Sequence, residues 1–178
     1  MISILIPTFN NIDYLKLTLS SIKKNSNFKD FEILLHINDG SDGTYDFARS
    51  QQITFTHSVN NIGLCSSLNL ISKKAKFNYL LYSHDDMYFC PGWDDALLKE
   101  LSNVKNNLFY FSGTMIEQNS AHINADFGST YKDFDEVKLL NNFNKLFYYD
   151  HQGSHFAPHL VHKEIWNKVG GFSEEFNP

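Results

Sequence analysis

Ile2-Ser3-Ile4-Leu5-Ile6-Pro7-Thr8-Phe9-Asn10 opens the chain with a short, mostly apolar run and then a turn that contains no glycine. Bounded by Pro7, the run reads as a buried strand that begins almost at the first residue. From Asn11 the period changes. Tyr14, Leu15, Leu17, Leu19 and Ile22 mark one apolar helical face, and Asn11 or Asp13 is placed to cap its start. Phe31-Glu32-Ile33-Leu34-Leu35-His36-Ile37 repeats the strand pattern and ends in the turn-rich Asn38-Asp39-Gly40-Ser41-Asp42-Gly43. A short helix over 44–50, a strand over 53–57, a helix from Gly63 to about residue 75 and a strand over 79–82 follow. Strands alternating with helices at this spacing predict right-handed βαβ units. The fold class is therefore α/β, a Rossmann-type open, twisted, mainly parallel sheet flanked by helices.

Beyond Pro91 the pattern loosens. Residues 93–101 read as helix, 108–111 as strand and 134–147 as helix, while 113–132 are polar and rich in small residues, which predicts irregular structure over a site. No linker divides the chain, so one domain spans 1–178. The run from Lys168 through Gly170-Gly171-Phe172 to Pro178 reads as a loop leading into something else, as in a piece of a longer protein.

Composition narrows the class. The chain has 178 residues, 42% hydrophobic and 15% aromatic, enough to enclose a core. Its formal charge of −5 argues against a nucleic-acid binder held by phosphate contacts. Cys65 and Cys90 fit no disulfide framework or zinc spacing, and no apolar stretch approaches the roughly 20 residues that span a bilayer. A cytoplasmic setting is the expectation.

Ligands of open parallel sheets bind beyond the carboxyl ends of the strands. Three predicted parallel strands end in Pro7-Thr8-Phe9-Asn10, Asn38-Asp39-Gly40-Ser41 and His84-Asp85-Asp86, and the topology brings all three to one rim. Each cluster alone is ordinary turn chemistry; the three together with an acidic pair point to a site. Two adjacent carboxylates where the core meets solvent repel each other, and a hard divalent ion, Mg2+ or Mn2+ rather than zinc, relieves that repulsion and leaves positions for phosphate oxygens. There is no P-loop or Gly-x-Gly-x-x-Gly turn and no Gly-x-Ser-x-Gly elbow, which disfavours P-loop ATPases, NAD-dependent enzymes and α/β-hydrolases. His151, His155 and His159 recur every four residues with His162 close behind, but Gly153 and Pro158 interrupt any helix there. Structural or exposed roles suit most of them, and His155 is the candidate for a further metal ligand. Trp93 reads first as packing and second as a sugar platform.

At these residues the chain resembles a family 2 glycosyltransferase of the GT-A fold. Residues 2–10 are similar to that family's first strand and nucleotide-contacting turn. Asn38-Asp39-Gly40-Ser41-Asp42-Gly43-Thr44 resembles its Asp-Asp-Gly-Ser-x-Asp-Gly-Thr signature, with Asn for the first Asp and one residue missing. Asn60-Asn61-Ile62-Gly63 with Asn69 resembles its Asn-x-Gly helix opening, His84-Asp85-Asp86 sits at its Asp-x-Asp metal motif, and Val169-Gly170-Gly171-Phe172-Ser173-Glu174-Glu175-Phe176 is similar to its Gly-Gly-Phe-Asp-Glu element near the acceptor.

The resemblance implies a sugar moved from a nucleotide-diphosphate sugar to an acceptor hydroxyl, with inversion, in bacterial polysaccharide or glycoconjugate synthesis. It implies a nucleotide side over about 1–90 and an acceptor side over about 91–178. Pro7, Thr8, Asn10, Asp39, Asn61, Gly63, Asn69 and Asp85 would bind substrate. Asp86, supported by Asp85, would hold Mn2+ or Mg2+. The acceptor would be a saccharide or a lipid-linked molecule. Many such enzymes work at the inner face of a membrane, so peripheral association is open to this chain, although it carries no anchor.

His84 replaces the first acid of the metal motif, and Leu68 stands where some relatives carry a diphosphate-steadying Arg. The competing readings are a nucleotidyltransferase, which wants a Gly-rich basic loop after the first strand, and a non-catalytic sugar- or nucleotide-binding module. The catalytic base is expected in an acidic motif after Gly-Gly-Phe, past Pro178. The 178-residue chain is accordingly expected to bind nucleotide weakly and to transfer sugar poorly or not at all. Assaying it beside a longer version checks this, and equal turnover by the two would contradict it.

Overall fold

The computed structural model describes residues 2–119, 121–146, 149 and 156–176. They form two compact units, one from Met1–Phe111 with Pro158–Pro178 and one from Ser112–Ala157.

The first unit alternates β1 (Ile2–Phe9), α1 (Ile12–Asn25), β2 (Phe31–Asn38), α2 (Thr44–Ser50), β3 (Thr54–Ser58), α3 (Gly63–Ser72), β4 (Tyr79–Tyr82) and α4 (Trp93–Asn103). A short β5 (Tyr110–Ser112) follows. The second unit holds β6 (Ile116–Glu117), β7 (Ile123–Asn124) and α5 (Glu136–Asn142), and the chain then returns with β8 (His159–His162) and α6 (Lys163–Val169). The main sheet has the order β3-β2-β1-β4-β8-β5. β1 pairs in parallel with β2 and β4, β2 in parallel with β3, and β8 runs antiparallel to β4.

β1 is the central strand because both of its faces are apolar. Ile2, Ile4 and Ile6 pack with Leu15, Leu19 and Ile22 of α1 and with Leu35, Ile37 and Leu81. The opposite parity buries Leu5 and Leu34, together with Leu68 and Ile71 of α3. A strand covered on both sides reads as a continuous apolar run, and each such side chain contributes about 1.5–3 kcal/mol on burial.

Pro7 does not end β1, as its position in the sequence suggests it should. It lies within the strand opposite His36. Ser83 donates its amide to the Leu5 carbonyl, so the backbone polar groups of Leu5, and by parity those of Pro7, face β4. The paired part of β4 stops at Tyr82, opposite Leu5. The missing N–H of proline therefore faces a side where no strand remains to receive it.

Two elements beyond α5 carry no signal in the sequence pattern. Residues 159–162 are a sheet strand, and 163–169 are a helix capped by His162, whose Nδ1 accepts from the Glu164 amide at 3.2 Å. The end of the chain thus packs into the first unit. In the second unit, 113–132 are mainly turns around the two-residue parallel pair β6–β7, as expected of an irregular segment. The helix expected over 134–147 is confined to α5 and a 3-10 turn, Phe143–Lys145, and Phe147 lies outside the described residues. Among the described residues no helix is long and apolar enough to cross a membrane.

Asn38 joins the carboxyl end of β2 to its surroundings. Its Nδ2 donates to the Thr8 carbonyl (3.4 Å) and to Ser67 Oγ (3.1 Å), and its Oδ1 accepts from Ser58 Oγ (3.0 Å) and the Ile62 amide (2.9 Å). His36, two residues earlier, is fully buried between Thr56 Oγ1 (2.8 Å) and Ser58 Oγ (3.2 Å). Burial pushes its imidazole below the ordinary value of 6.5, so the folded chain keeps it neutral while the unfolded chain protonates it. Its contribution to stability is full above that ordinary value and is lost as pH falls below it. Urea unfolding of His36→Gln should show a flatter stability profile than wild type between about pH 6.5 and pH 5. Identical slopes in the two proteins would contradict a neutral buried imidazole.

Candidate functional site

β2 and β4 flank β1 in parallel, so the carboxyl ends of all three strands share one rim. The turn from β1 into α1 spans it with two consecutive asparagines. Asn10 Nδ2 donates to Asp39 Oδ2 at 2.9 Å and to Ser41 Oγ at 3.3 Å, while its Oδ1 accepts from the Gly40 amide at 3.0 Å. Asn11 Nδ2 donates in the other direction, to Asp85 Oδ1 at 3.0 Å. Acids at the ends of β2 and β4, 46 residues apart in sequence, are thereby tied to neighbouring positions of one turn. The sequence offers Asn11 or Asp13 as the cap of α1, and Asn11 takes that position while Asp13 lies in the first turn. Asn11 makes no side-chain cap bond there. Asp42 takes over that work, accepting from the Ile12 amide (2.8 Å) at the start of α1 and from the Thr44 amide (3.0 Å) at the start of α2.

The carboxylates differ in environment. The Asn10 bond holds the Asp39 carboxyl below its ordinary value, with Ser41 acting in the same direction. Asp85 is half-buried, and burial pushes its carboxyl up; Thr8 and Asn11 counter that by favouring the anion. Thr8 is buried, and its hydroxyl, though beside Asp85, completes no hydrogen bond of full geometry. The Asp85 carbonyl accepts from Thr18 Oγ1 of α1 at 2.8 Å, which fixes the backbone of the acidic pair. Asp86 is exposed, and its Oδ1 stands 3.9 Å from His84 Nδ1. The His84 ring lies 5.3 Å from that of Tyr82, a buried side chain whose Oη has no hydrogen-bond partner among the described residues and whose phenol burial pushes well up.

The entry to α3 completes the neighbourhood. Asn61 Oδ1 accepts from the amide of buried Gly63, which has a left-handed φ of +78°, and the Ile62 amide is the one bound by Asn38. Asn69 lies further along α3 and grips the Gly-Gly-Phe segment. Its Oδ1 accepts from the Phe172 amide (2.9 Å), and its Nδ2 donates to the Phe172 carbonyl (2.8 Å) and to Glu174 Oε1 (3.0 Å). The Phe172 ring packs against those of Trp166 (5.1 Å) and Tyr82 (6.2 Å), and Trp166 Nε1 donates to Ser72 Oγ at 3.1 Å.

Pro7, Thr8, Asn10, Asp39, Asp85 and Asp86 thus stand on strand ends of one rim, and Asn61 and Gly63 open the adjacent helix. Asn69 is engaged with the chain's own backbone. His151 and His155 lie outside the described residues; His159 is buried in β8, its ring stacked 5.0 Å from Tyr110. Trp93 is held as packing, with its ring 4.8 Å from Phe89 and its Nε1 donating to Ser26 Oγ. Sequence reasoning missed the roles of Asn11 and Asn38, although the doubled Asn10-Asn11 at a strand end was a visible signal.

Among the described residues no three His, Cys, Asp or Glu side chains gather as a metal cage. The donors exposed at this strand end are the Asp86 carboxylate and the His84 imidazole beside it.

The sequence profile of glycosyl transferase family 2 matches residues 3–161. The chain belongs to that family. Its fold is similar to that of residues 1–349 of TarS from S. aureus, with a TM-score of 0.69 at 14% identity, covering 99% of this chain and 51% of that one. The structure of the same TarS fragment with UDP-GlcNAc gives a TM-score of 0.66 at 16% identity, over 94% of this chain and 47% of that one. A mannosyltransferase of Pyrobaculum calidifontis, PcManGT, in complex with GDP-Man and Mn2+ gives 0.65 at 13% identity, over 98% and 48%. The chain spans about half the length of these solved chains. No curated protein matches it in sequence. The mainly parallel α/β sheet expected from the alternation of strands and helices, and the GT-A architecture that the family resemblance implied, are what is observed.

Gly171 tests the docking of the Gly-Gly-Phe segment. It has φ +79°, and a Cβ there would run into the Asn69 amide and approach Trp166 Cζ2 to 3.3 Å. Gly171→Ala should lower the unfolding free energy by about 2–4 kcal/mol in urea titration, combining backbone strain with a clash. Wild-type stability in that variant would mean that the segment does not sit on α3.

Proposed function

We propose that the chain forms a domain of a transferase that moves a sugar from a nucleotide-diphosphate sugar to an acceptor hydroxyl, with inversion, in bacterial polysaccharide or glycoconjugate synthesis. The observation that carries this is the Asn10–Asn11 turn, which ties Asp39 of one strand end and Asp85 of another to a single rim. The relatives of known structure support the donor class, since TarS has been seen with UDP and UDP-GlcNAc and PcManGT with GDP-Man and Mn2+.

In this reading residues up to about 90 form the donor side and those after it the acceptor side. Asp39, held as the anion by Asn10, hydrogen-bonds the base, and Thr8 and Asn10 border the nucleotide. Pro7, which has no N–H, leaves that edge of β1 without a competing donor. Asn61 and Gly63 shape the start of α3 beside the donor, and Asn69 keeps the Gly-Gly-Phe segment against that helix. Asp86 would hold Mn2+ or Mg2+, with Asp85, which Asn11 anchors, as its support. When bound, that ion supplies a Lewis acid that offsets the charge on the departing diphosphate. A carboxylate near the acceptor removes the hydroxyl proton during in-line attack. The acceptor is a saccharide or a lipid-linked molecule, reached from the cytoplasmic face of a membrane by peripheral association.

Titration calorimetry with uridine, guanosine and thymidine diphosphates, with and without Mn2+, tests this. One diphosphate should bind in a metal-dependent manner, and Asp86→Asn should weaken that binding by about tenfold or more. Binding of a glycan alone, with no response to any nucleotide, would turn the reading toward a non-catalytic sugar-binding module.

A further inference from the structure

Tyr82 is the last residue of β4, and only 7% of it is exposed. Its Oη is shut off from solvent with no hydrogen-bond partner among the described residues. Leu80 and Leu81, just before it, are plain apolar core, and a phenylalanine would fill the volume of Tyr82 without burying a hydroxyl. An unpaired buried hydroxyl is costly, so its presence calls for a partner that arrives with a ligand. The surroundings put that hydroxyl at the rim. The rings of His84 (5.3 Å), His159 (5.8 Å) and Phe172 (6.2 Å) stand around the tyrosine, and Tyr110 stacks on His159 at 5.0 Å. Burial above all, and then the nearness of Tyr110, Asp86, Cys65 and Asp85, raise the phenol well above its ordinary value, so the hydroxyl stays protonated and can donate. Its ring neighbours differ in freedom. Phe172 lies against Trp166 with its backbone gripped by Asn69, and His159 is buried, whereas the His84 side chain is 46% exposed.

We propose that Tyr82 is a specificity-determining residue of the nucleotide-sugar site, its hydroxyl donating a hydrogen bond to a hydroxyl of the transferred sugar. The inference rests on the nucleotide-sugar reading above and names the group that selects the sugar within it. A phosphate oxygen is the other acceptor such a ligand carries, but it is anionic, and the nearby Asp85 and Asp86 carboxylates repel it. A sugar hydroxyl is neutral; it accepts from Oη and still donates onward to a carboxylate. Aromatic faces with a few placed polar groups are the usual lining of small-molecule sites, and the partly exposed rings of His84 and Tyr110 offer such faces to the C–H side of a pyranose. Rotation of His84 uncovers Tyr82 without moving the backbone, which the bond from Thr18 to the Asp85 carbonyl holds. A site built to bond a substrate hydroxyl rejects the analogue that lacks it, because the protein donor is then left unpaired. The lone Oη therefore favours the sugar that reaches it over one that does not.

Titration calorimetry compares the wild-type chain with Tyr82→Phe, using uridine and guanosine diphosphates and then UDP-glucose, UDP-galactose, UDP-GlcNAc and GDP-mannose, with Mn2+ throughout. At least one nucleotide sugar should bind wild type more tightly than its bare diphosphate. Tyr82→Phe should weaken that sugar by about fivefold or more while the diphosphate keeps its affinity. The unfolding temperature of Tyr82→Phe should equal or exceed that of wild type, because the change removes an unpaired hydroxyl and keeps the ring. A sugar advantage that survives Tyr82→Phe, equal losses for sugar and diphosphate, or a wild type that binds a diphosphate but no sugar more tightly would overturn the role of Tyr82 and leave nucleotide binding intact. A marked fall in unfolding temperature would overturn it as well, by revealing a bond within the fold. Failure of wild type to bind any of these nucleotides would overturn the nucleotide-sugar reading together with it.

Discussion

The amide of Asn38 makes four hydrogen bonds at the carboxyl end of β2, and the arrangement of the rim depends on them. Two are donated, to the Thr8 carbonyl and to Ser67 Oγ; two are accepted, from Ser58 and from the Ile62 amide. One side chain therefore sets the end of β1, the end of β3 and the entry to α3 relative to β2. A carboxylate of the same shape could accept but not donate. The Thr8 carbonyl would then face an anion, and Ser67, whose own hydroxyl already donates to the Gly63 carbonyl, would lose its incoming bond. Each buried polar group left unpaired costs about 1–3 kcal/mol. This accounts physically for an Asn where the resembling signature begins with Asp.

Most of the sheet was legible because periodicity is a local property. β1, β2 and β4 are apolar runs bounded by turn residues, and α1 and α3 show apolar faces at helical spacing. β8 was not legible. His159-Leu160-Val161-His162 is four residues long, runs antiparallel outside the regular βα alternation, and gains its identity from pairing with β4, nearly 80 residues earlier. Pro7 misled for a related reason. A proline ends a strand only when a neighbour needs its N–H, and whether β4 reaches that far is a fact of tertiary register.

The candidate site divides along the same line. Thr8, Asp39 and the acidic pair could be found because strand ends in a parallel sheet announce themselves by turn chemistry. The partners that hold them could not. Asn11 meets Asp85 across 74 residues and Asn69 meets Phe172 across 103, and no local pattern encodes either contact. Asn69 shows the limit clearly. Its amide matches the N–H and C=O of Phe172 in both directions, a pairing that the motif alone does not announce.

Backbone strain at the rim follows from the same bonds. Asn10 and Asp39 both adopt left-handed conformations, with φ of 47° and 60°, in a chain where few non-glycine residues do. Such conformations cost of order 1–3 kcal/mol and persist only where surrounding contacts over-determine them. Here they over-determine each other. The Asn10 side chain needs the Asp39 carboxylate and the Gly40 amide as partners, and these are presented because β2 turns through a left-handed residue at the place where β1 does the same. The Asp39 carbonyl is in turn met by His57 Nε2 at 2.8 Å, and its amide donates to the Ser58 carbonyl, so β3 buttresses the turn from outside. Relaxing either residue to an ordinary conformation would break bonds to both neighbouring strands at once. The carboxylate of Asp39 is therefore fixed in direction before anything binds, and the rigidity comes from strain shared between two loops rather than from burial.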